Sequence, residues 1–96
     1  MDALITAHKQ ELQSLARQYG VGGLFVFGSM ARGDANAQSD VDLLVDNTSA
    51  QLTGFELGAL QMDAQDILGR KVDLLTPNAL HPLMRDRIFR EAIRLA

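Results

Sequence analysis

Residues 27–46 read FGSMARGDANAQSDVDLLVD. An apolar run, Leu24-Phe25-Val26-Phe27, leads into this stretch, and its length and aromatic content predict a buried strand. Gly28 and Ser29 end that strand, and Ser29 is placed to cap a short helix through Arg32. Gly33 to Ser39 has the composition of a loop. Asp40 to Val45 then reads as a second strand. Successive side chains alternate across it, so Val41, Leu43 and Val45 share one face while Asp40, Asp42 and Leu44 share the other. Two carboxylates in an apolar strand therefore look away from the core, and that parity decides the fold.

Working outward, residues 2–19 place Leu4, Ile5, His8, Leu12, Leu15, Ala16 and Tyr19 at helical spacing, with Gly20 as the stop. The Gly20–Gly23 segment precedes a strand and does not match G-x-G-x-x-G, so it reads as a helix stop and turn. Residues 54–68 predict a second long helix with Leu57, Leu60, Ala64, Ile67 and Leu68 as its apolar stripe, closed by Gly69. Residues 71–76 predict a third strand, with Val72 and Leu74 opposite Asp73 and Leu75. Thr76-Pro77-Asn78 makes a turn. Residues 82–94 predict a last helix, with Pro82 in its first turn and Leu83 or Met84, Ile88, Ala92 and Leu95 inward. The order is α-β-(short α)-β-α-β-α. Helices covering the apolar face of the strands, with the aspartate face at least partly open, give a two-layer α+β domain.

Ninety-six residues make one domain, 1–96, with one modest core. The chain has no cysteine, which excludes disulfides and thiolate metal sites and fits a reducing compartment. The first residues carry charge and lack an apolar signal core, and no apolar run reaches the ~20 residues of a membrane span, so the expected location is the cytoplasm. The net charge of -3 argues against sequence-specific nucleic-acid binding. It is compatible with a nucleotide held through a metal, where the cation brings the positive charge.

Asp40 and Asp42 stand two residues apart on one strand face, ~6.5–7 Å between Cα atoms. Like charges that close raise each other's pKa, and burying them unpaired is costly. A divalent cation removes the conflict. Oxygen ligands without nearby His or Cys point to Mg²⁺ or Mn²⁺ rather than Zn²⁺. Asp73 has the same parity on its own strand, so the three carboxylates converge if the two strands are neighbours. Three carboxylates around two metals ~3.5–4 Å apart suit in-line transfer from a triphosphate. The bland alternative is that Asp40 or Asp42 caps a turn or pairs with Arg32 or Lys71. Gly28 permits close backbone approach at the start of a helix, and Ser29 adds a hydroxyl, together an anion site.

Gly28-Ser29, a ten-residue gap and Asp40-Val41-Asp42 resemble the signature of the polymerase-β-like nucleotidyltransferases. The fuller string GSMARGDANAQSDVDLLV (28–45) and the C-terminal GRKVDLLTPNALHPLMRDRIFREAIRLA (69–96) resemble the minimal nucleotidyltransferases in particular. The resemblance implies a small mixed sheet with helices on one face. It implies that Gly28 and Ser29 hold the β- and γ-phosphates of ATP, and that Asp40 and Asp42 bind two Mg²⁺ ions. It implies that Asp73 completes the metal site and helps deprotonate an acceptor hydroxyl. Attack at the α-phosphorus comes from the resemblance alone. So does the partner it implies: a HEPN ribonuclease toxin, joined in a hetero-oligomer and neutralised by transfer of AMP, with a tyrosine hydroxyl as the expected acceptor.

Two alternatives stand beside that reading: an antitoxin that neutralises by binding alone, and a nucleotidyltransferase acting on a small molecule. A single domain without an added acceptor-binding domain is expected, which favours a macromolecular acceptor. Arg32, three residues after Ser29, is placed to reach a phosphate or an aspartate, or to pair with Asp34. Ser39 is expected to bond the backbone of its own loop. Arg87, Arg90 and Arg94 read as one face of the last helix, either solvated or docking an acidic partner. His8 and His81 have no metal-like neighbours and read as structural.

Overall fold

The computed structural model describes residues 1–49 and 51–96. Ala50, in the connection expected after the second strand, lies outside the described residues. Helix α1 (Ala3–Ala7) and helix α2 (Lys9–Tyr19) take the place of the single helix expected over 2–19. The interruption falls at His8, which leaves helical geometry at φ -110 and ψ 12. Gly20 ends α2 in the left-handed conformation, as expected of a glycine stop.

Strand β1 (Gly23–Phe27) leads into the short helix α3 (Gly28–Arg32), and strand β2 (Val41–Asp46) follows the polar loop. Helix α4 (Gly54–Leu68) occupies the expected span. Thr53 closes its start with a capping box: its hydroxyl accepts from the Glu56 amide and the Glu56 carboxylate accepts from the Thr53 amide. Strand β3 (Val72–Leu75) is followed by a 3₁₀ turn at Pro77–Ala79, helix α5 (Pro82–Glu91) and strand β4 (Ile93–Arg94).

The four strands form one mixed sheet in the order β3-β2-β1-β4. β1 pairs antiparallel with β2 and β4, whereas β2 and β3 run parallel. The register gives the two faces their identities. Leu24, Val26, Val41, Leu43, Val45 and Val72 bury one face against Ile5, Leu12, Leu15, Met30, Leu60, Ala64 and Leu68 from the first four helices. The N-terminus also ties down α3, because the Asp2 amide donates to the Met30 carbonyl at 2.8 Å.

The other face carries a smaller cluster of Phe27, Leu44, Leu80 and Ile88. Helices on one face therefore describes α1 to α4, while α5 crosses the aspartate face through Ile88. Leu83 or Met84 was expected inward; the two are 87% and 48% exposed. The last helix stops at Glu91 rather than at residue 94. Ala92 turns extended at ψ 134, and the chain then pairs with β1, where the Leu95 amide donates to the Leu24 carbonyl at 2.7 Å. Leu95 reaches the main core from this strand end, not from a helix. Arg94 consequently leaves the Arg87 and Arg90 face and lies over the Phe25 ring, 5.4 Å from its centroid.

Candidate active site

The site begins with the sheet register. Phe27 stands opposite Asp42, and Asp42 stands opposite Asp73, so the three residues form a row across β1, β2 and β3. Side chains of residues paired this way share a face. The expected meeting of Asp42 and Asp73 is thus produced by parallel pairing of β2 and β3. The two carboxylates line a cleft of about 490 Å³ with Phe27, Gln61, Leu75, Met84 and Ile88.

Gly28 follows Phe27 directly and has φ +71, a conformation that strains any residue with a Cβ. A Cβ at Gly28 would also overlap the Asp42 carboxylate. Gly28 is thereby needed both for the turn and for the approach of Asp42 to the backbone. Ser29 is the second residue of α3 rather than its cap. Phe27 occupies the capping position, and its side chain has nothing to donate or accept. The Ser29 carbonyl instead closes the helix, accepting from the amides of Gly33 and Asp34.

Asp42 is partly buried, and its carboxyl is pushed above the usual aspartate range. Burial contributes most, followed by the neighbouring charges of Asp73, Asp40 and Glu91, with Arg32 opposing them. Among the described residues the ion pairs are His8–Glu11, Arg32–Asp34, Arg32–Glu91 and Lys71–Asp40, so neither Asp42 nor Asp73 has a paired cation. A carboxylate pair in a cleft lined by no histidine or cysteine fits a hard divalent cation such as Mg²⁺.

Asp40 differs from the other two. It precedes β2, its side chain is 45% exposed, and its carboxylate lies 3.7 Å from Lys71 Nζ. Among the described residues no three acidic or histidine side chains gather into one metal-binding group, so the expected convergence of three carboxylates reduces to Asp42 and Asp73. Asp40 lies just before β2, outside the register that sets Asp42 opposite Asp73.

Arg32 pairs with Asp34 at 3.1 Å and, from its other side, with Glu91 at the end of α5. The local pairing expected of Arg32 is present. The contact to Glu91 was not legible in the sequence, since the two residues meet only once α5 crosses the sheet. Ser39 bonds its own loop as expected, its hydroxyl accepting from the Asn36 amide at 2.9 Å. Arg70 was missed: it donates to the carbonyls of Asn36 and Ser39 and so holds the loop just before Asp40. The only signal for it was a cation flanking the third strand. His8 bonds Glu11 and His81 caps α5 through the Leu83 amide, both structural.

Residues 5–95 match the nucleotidyltransferase domain family. The protein adenylyltransferase MntA of Thermococcus cleftensis is 35% identical over 97% of this chain and 90% of its own length. A Methanocaldococcus jannaschii protein assigned as a protein adenylyltransferase is 35% identical over 88% of this chain and 90% of its own. A solved chain assigned as a minimal nucleotidyltransferase superposes with a TM-score of 0.79 at 36% identity, covering 97% of this chain and 95% of that one. A chain from a toxin–antitoxin crystal structure with AMP-PNP shares the fold at 20% identity, with a TM-score of 0.77 over 92% of this chain and 72% of that one. A Gly-Ser turn beside a carboxylate pair is thus set on a fold and a sequence that agree, and the chain belongs to the nucleotidyltransferases, in their minimal form.

Proposed function

We propose that this nucleotidyltransferase moves AMP from ATP to a hydroxyl of a toxin protein and so acts as its antitoxin. The observation that carries the reading is the in-register pair Asp42 and Asp73 beside the Gly28-Ser29 turn. The relative named protein adenylyltransferase supports AMP transfer to protein. The shared fold with chains of MntA–HepT toxin–antitoxin structures supports the kind of partner. The partner is a HEPN-type ribonuclease, its acceptor a tyrosine, and the pair works in the cytoplasm.

In this reading Gly28 and Ser29 bind the β- and γ-phosphates through backbone amides and the Ser29 hydroxyl. Asp40, Asp42 and Asp73 would hold two Mg²⁺ ions, for which Asp40 would exchange its contact with Lys71. When bound, Mg²⁺ neutralises charge that develops on the phosphates and positions them for in-line displacement. Asp73 also accepts the proton of the acceptor hydroxyl. The acceptor oxygen bonds to the α-phosphorus, the bond from that phosphorus to the bridging oxygen breaks, and pyrophosphate departs. Arg32 turns from Glu91 to the phosphates, where its planar donor fork suits them.

The test is incubation of the chain with labelled ATP, Mg²⁺ and the toxin, read by mass spectrometry of the toxin. One added AMP on a tyrosine is expected. Neutralisation of the toxin without added AMP, or transfer undiminished by Asp40→Ala with Asp42→Ala, would overturn it. The first of those outcomes would establish an antitoxin that works by binding.

A further inference from the structure

Strand β3 is one of the two edge strands of the sheet, and Val72 turns its backbone N–H and C=O away from β2. Both groups are claimed by one helix. The Gln61 side-chain amide donates to the Val72 carbonyl at 2.6 Å, and the Gln65 side-chain carbonyl accepts from the Val72 amide at 3.1 Å. Gln61 and Gln65 are four residues apart on α4, so they present to the same side. An outer strand normally leaves such groups to water or to another chain. Here the pair supplies the missing half-ladder at a single residue, and that residue immediately precedes Asp73. Gln61 also lines the cleft that holds Asp42 and Asp73.

We infer that Gln61 and Gln65 are positioning residues that set the Asp73 carboxylate against Asp42. Parallel pairing alone fixes β3 from one side through four paired residues, Val72 to Leu75. The strand must also hold two like-charged carboxylates side by side, which repel until a cation arrives. The glutamine pair anchors Val72 from the outer side, fixes the position of β3 along β2 and so keeps the register on which a shared cation depends. Neutral amides suit the task, because they bond both backbone groups without adding charge near the carboxylates. The inference rests on the proposed metal-binding role of Asp42 and Asp73.

The experiment uses the full chain with Mn²⁺ as the probe, comparing Gln61→Met, Gln65→Met and Gln65→Glu. Methionine keeps the size of the side chain and removes its hydrogen bond. Glutamate at 65 keeps an acceptor for the Val72 amide. Exchange of the Val72 amide with solvent, followed by NMR, is expected to quicken about tenfold or more in Gln65→Met and to return towards wild type in Gln65→Glu. The Mn²⁺ dissociation constant, measured calorimetrically, is expected to rise about tenfold in both methionine variants, within the range found for residues supporting metal ligands. Faster exchange with unchanged Mn²⁺ affinity would overturn the inference and leave the pair as a cover for the sheet edge. Unchanged exchange in Gln65→Met would overturn it as well. A wild-type chain that binds no Mn²⁺ would instead bring down the metal reading itself, and the inference with it.

Discussion

Asp42 and Asp73 face each other across adjacent parallel strands, one residue to one residue, and among the described residues neither has a paired cation. Burial of Asp42 sharpens the conflict and raises its carboxyl above the usual range. The arrangement costs the empty protein stability and suits a bound cation, and it generates predictions of both kinds.

Replacing Asp42 with Asn should separate activity from stability. If Asp42 holds the proposed metal, its loss removes several kcal/mol of charge stabilisation at the transition state, roughly a thousandfold in rate or more. In the metal-free protein at neutral pH the same change should raise the melting temperature, because the raised carboxyl no longer has to ionise in the fold. Calorimetry without Mg²⁺ and a transfer assay with it check the two halves.

The pH dependence follows from the direction of that shift. A carboxyl whose folded pKa exceeds the unfolded value of ~3.9 gives a contribution to stability that is full below ~3.9. The contribution is lost as pH rises through the folded value. Metal-free wild type should therefore lose stability over that interval relative to Asp42→Asn. Mn²⁺ affinity should weaken as pH falls into the same interval, because proton and cation compete for Asp42. Urea titrations and calorimetry across pH measure both.

Gly28→Ala should damage fold and activity together. The left-handed backbone costs a residue with a Cβ roughly 1–2 kcal/mol before any overlap, and here the Cβ meets the Asp42 carboxylate. Urea midpoints should fall by at least that equivalent, with transfer abolished. A stable, active variant would contradict the described turn.

Glu91→Gln removes the partner of Arg32 and one negative charge near Asp42. The pair is solvent-exposed on the arginine side, where water screens it, so stability should change little. If Arg32 serves the phosphates, the variant should lower the KM for ATP and Arg32→Ala should raise it. Steady-state kinetics decide the matter, and opposite shifts are the expected outcome.

Arg70→Ala should loosen the loop before Asp40, because two carbonyls, of Asn36 and Ser39, lose their donor. Each hydrogen bond to a charged donor contributes on the order of 1.5–3 kcal/mol at most. A melting temperature lowered by several degrees is expected for a domain of this size. Amide exchange over residues 34–40 should quicken, which locates the effect.

Much of the molecule was legible in its sequence because the relevant interactions are local. Helix α4 took the expected span since its apolar stripe lies within it and its glycine stop directly follows it. Strand parity put Val41 and Leu43 in the core and Asp42 on the opposite face, because alternation is a property of a single strand. The pairing of Asp42 with Asp73 needed one more assumption, that β2 and β3 are neighbours, and the sheet order supplies it.

What the tertiary structure alone decided are contacts between distant segments. Strand β4 exists because β1 offers an open edge to a chain that would otherwise continue a helix. That pairing removes Arg94 from the α5 face and turns Leu95 into the core. The crossing of α5 brings Glu91 to Arg32, and Asp40 comes to lie beside Lys71. The glutamine pair on Val72 belongs to the same class, since it joins a helix face to a strand edge. Residue order determined which side chains face which way. Packing decided which of them meet, because hydrogen bonds and ion pairs across the chain form only after the core has brought the segments together.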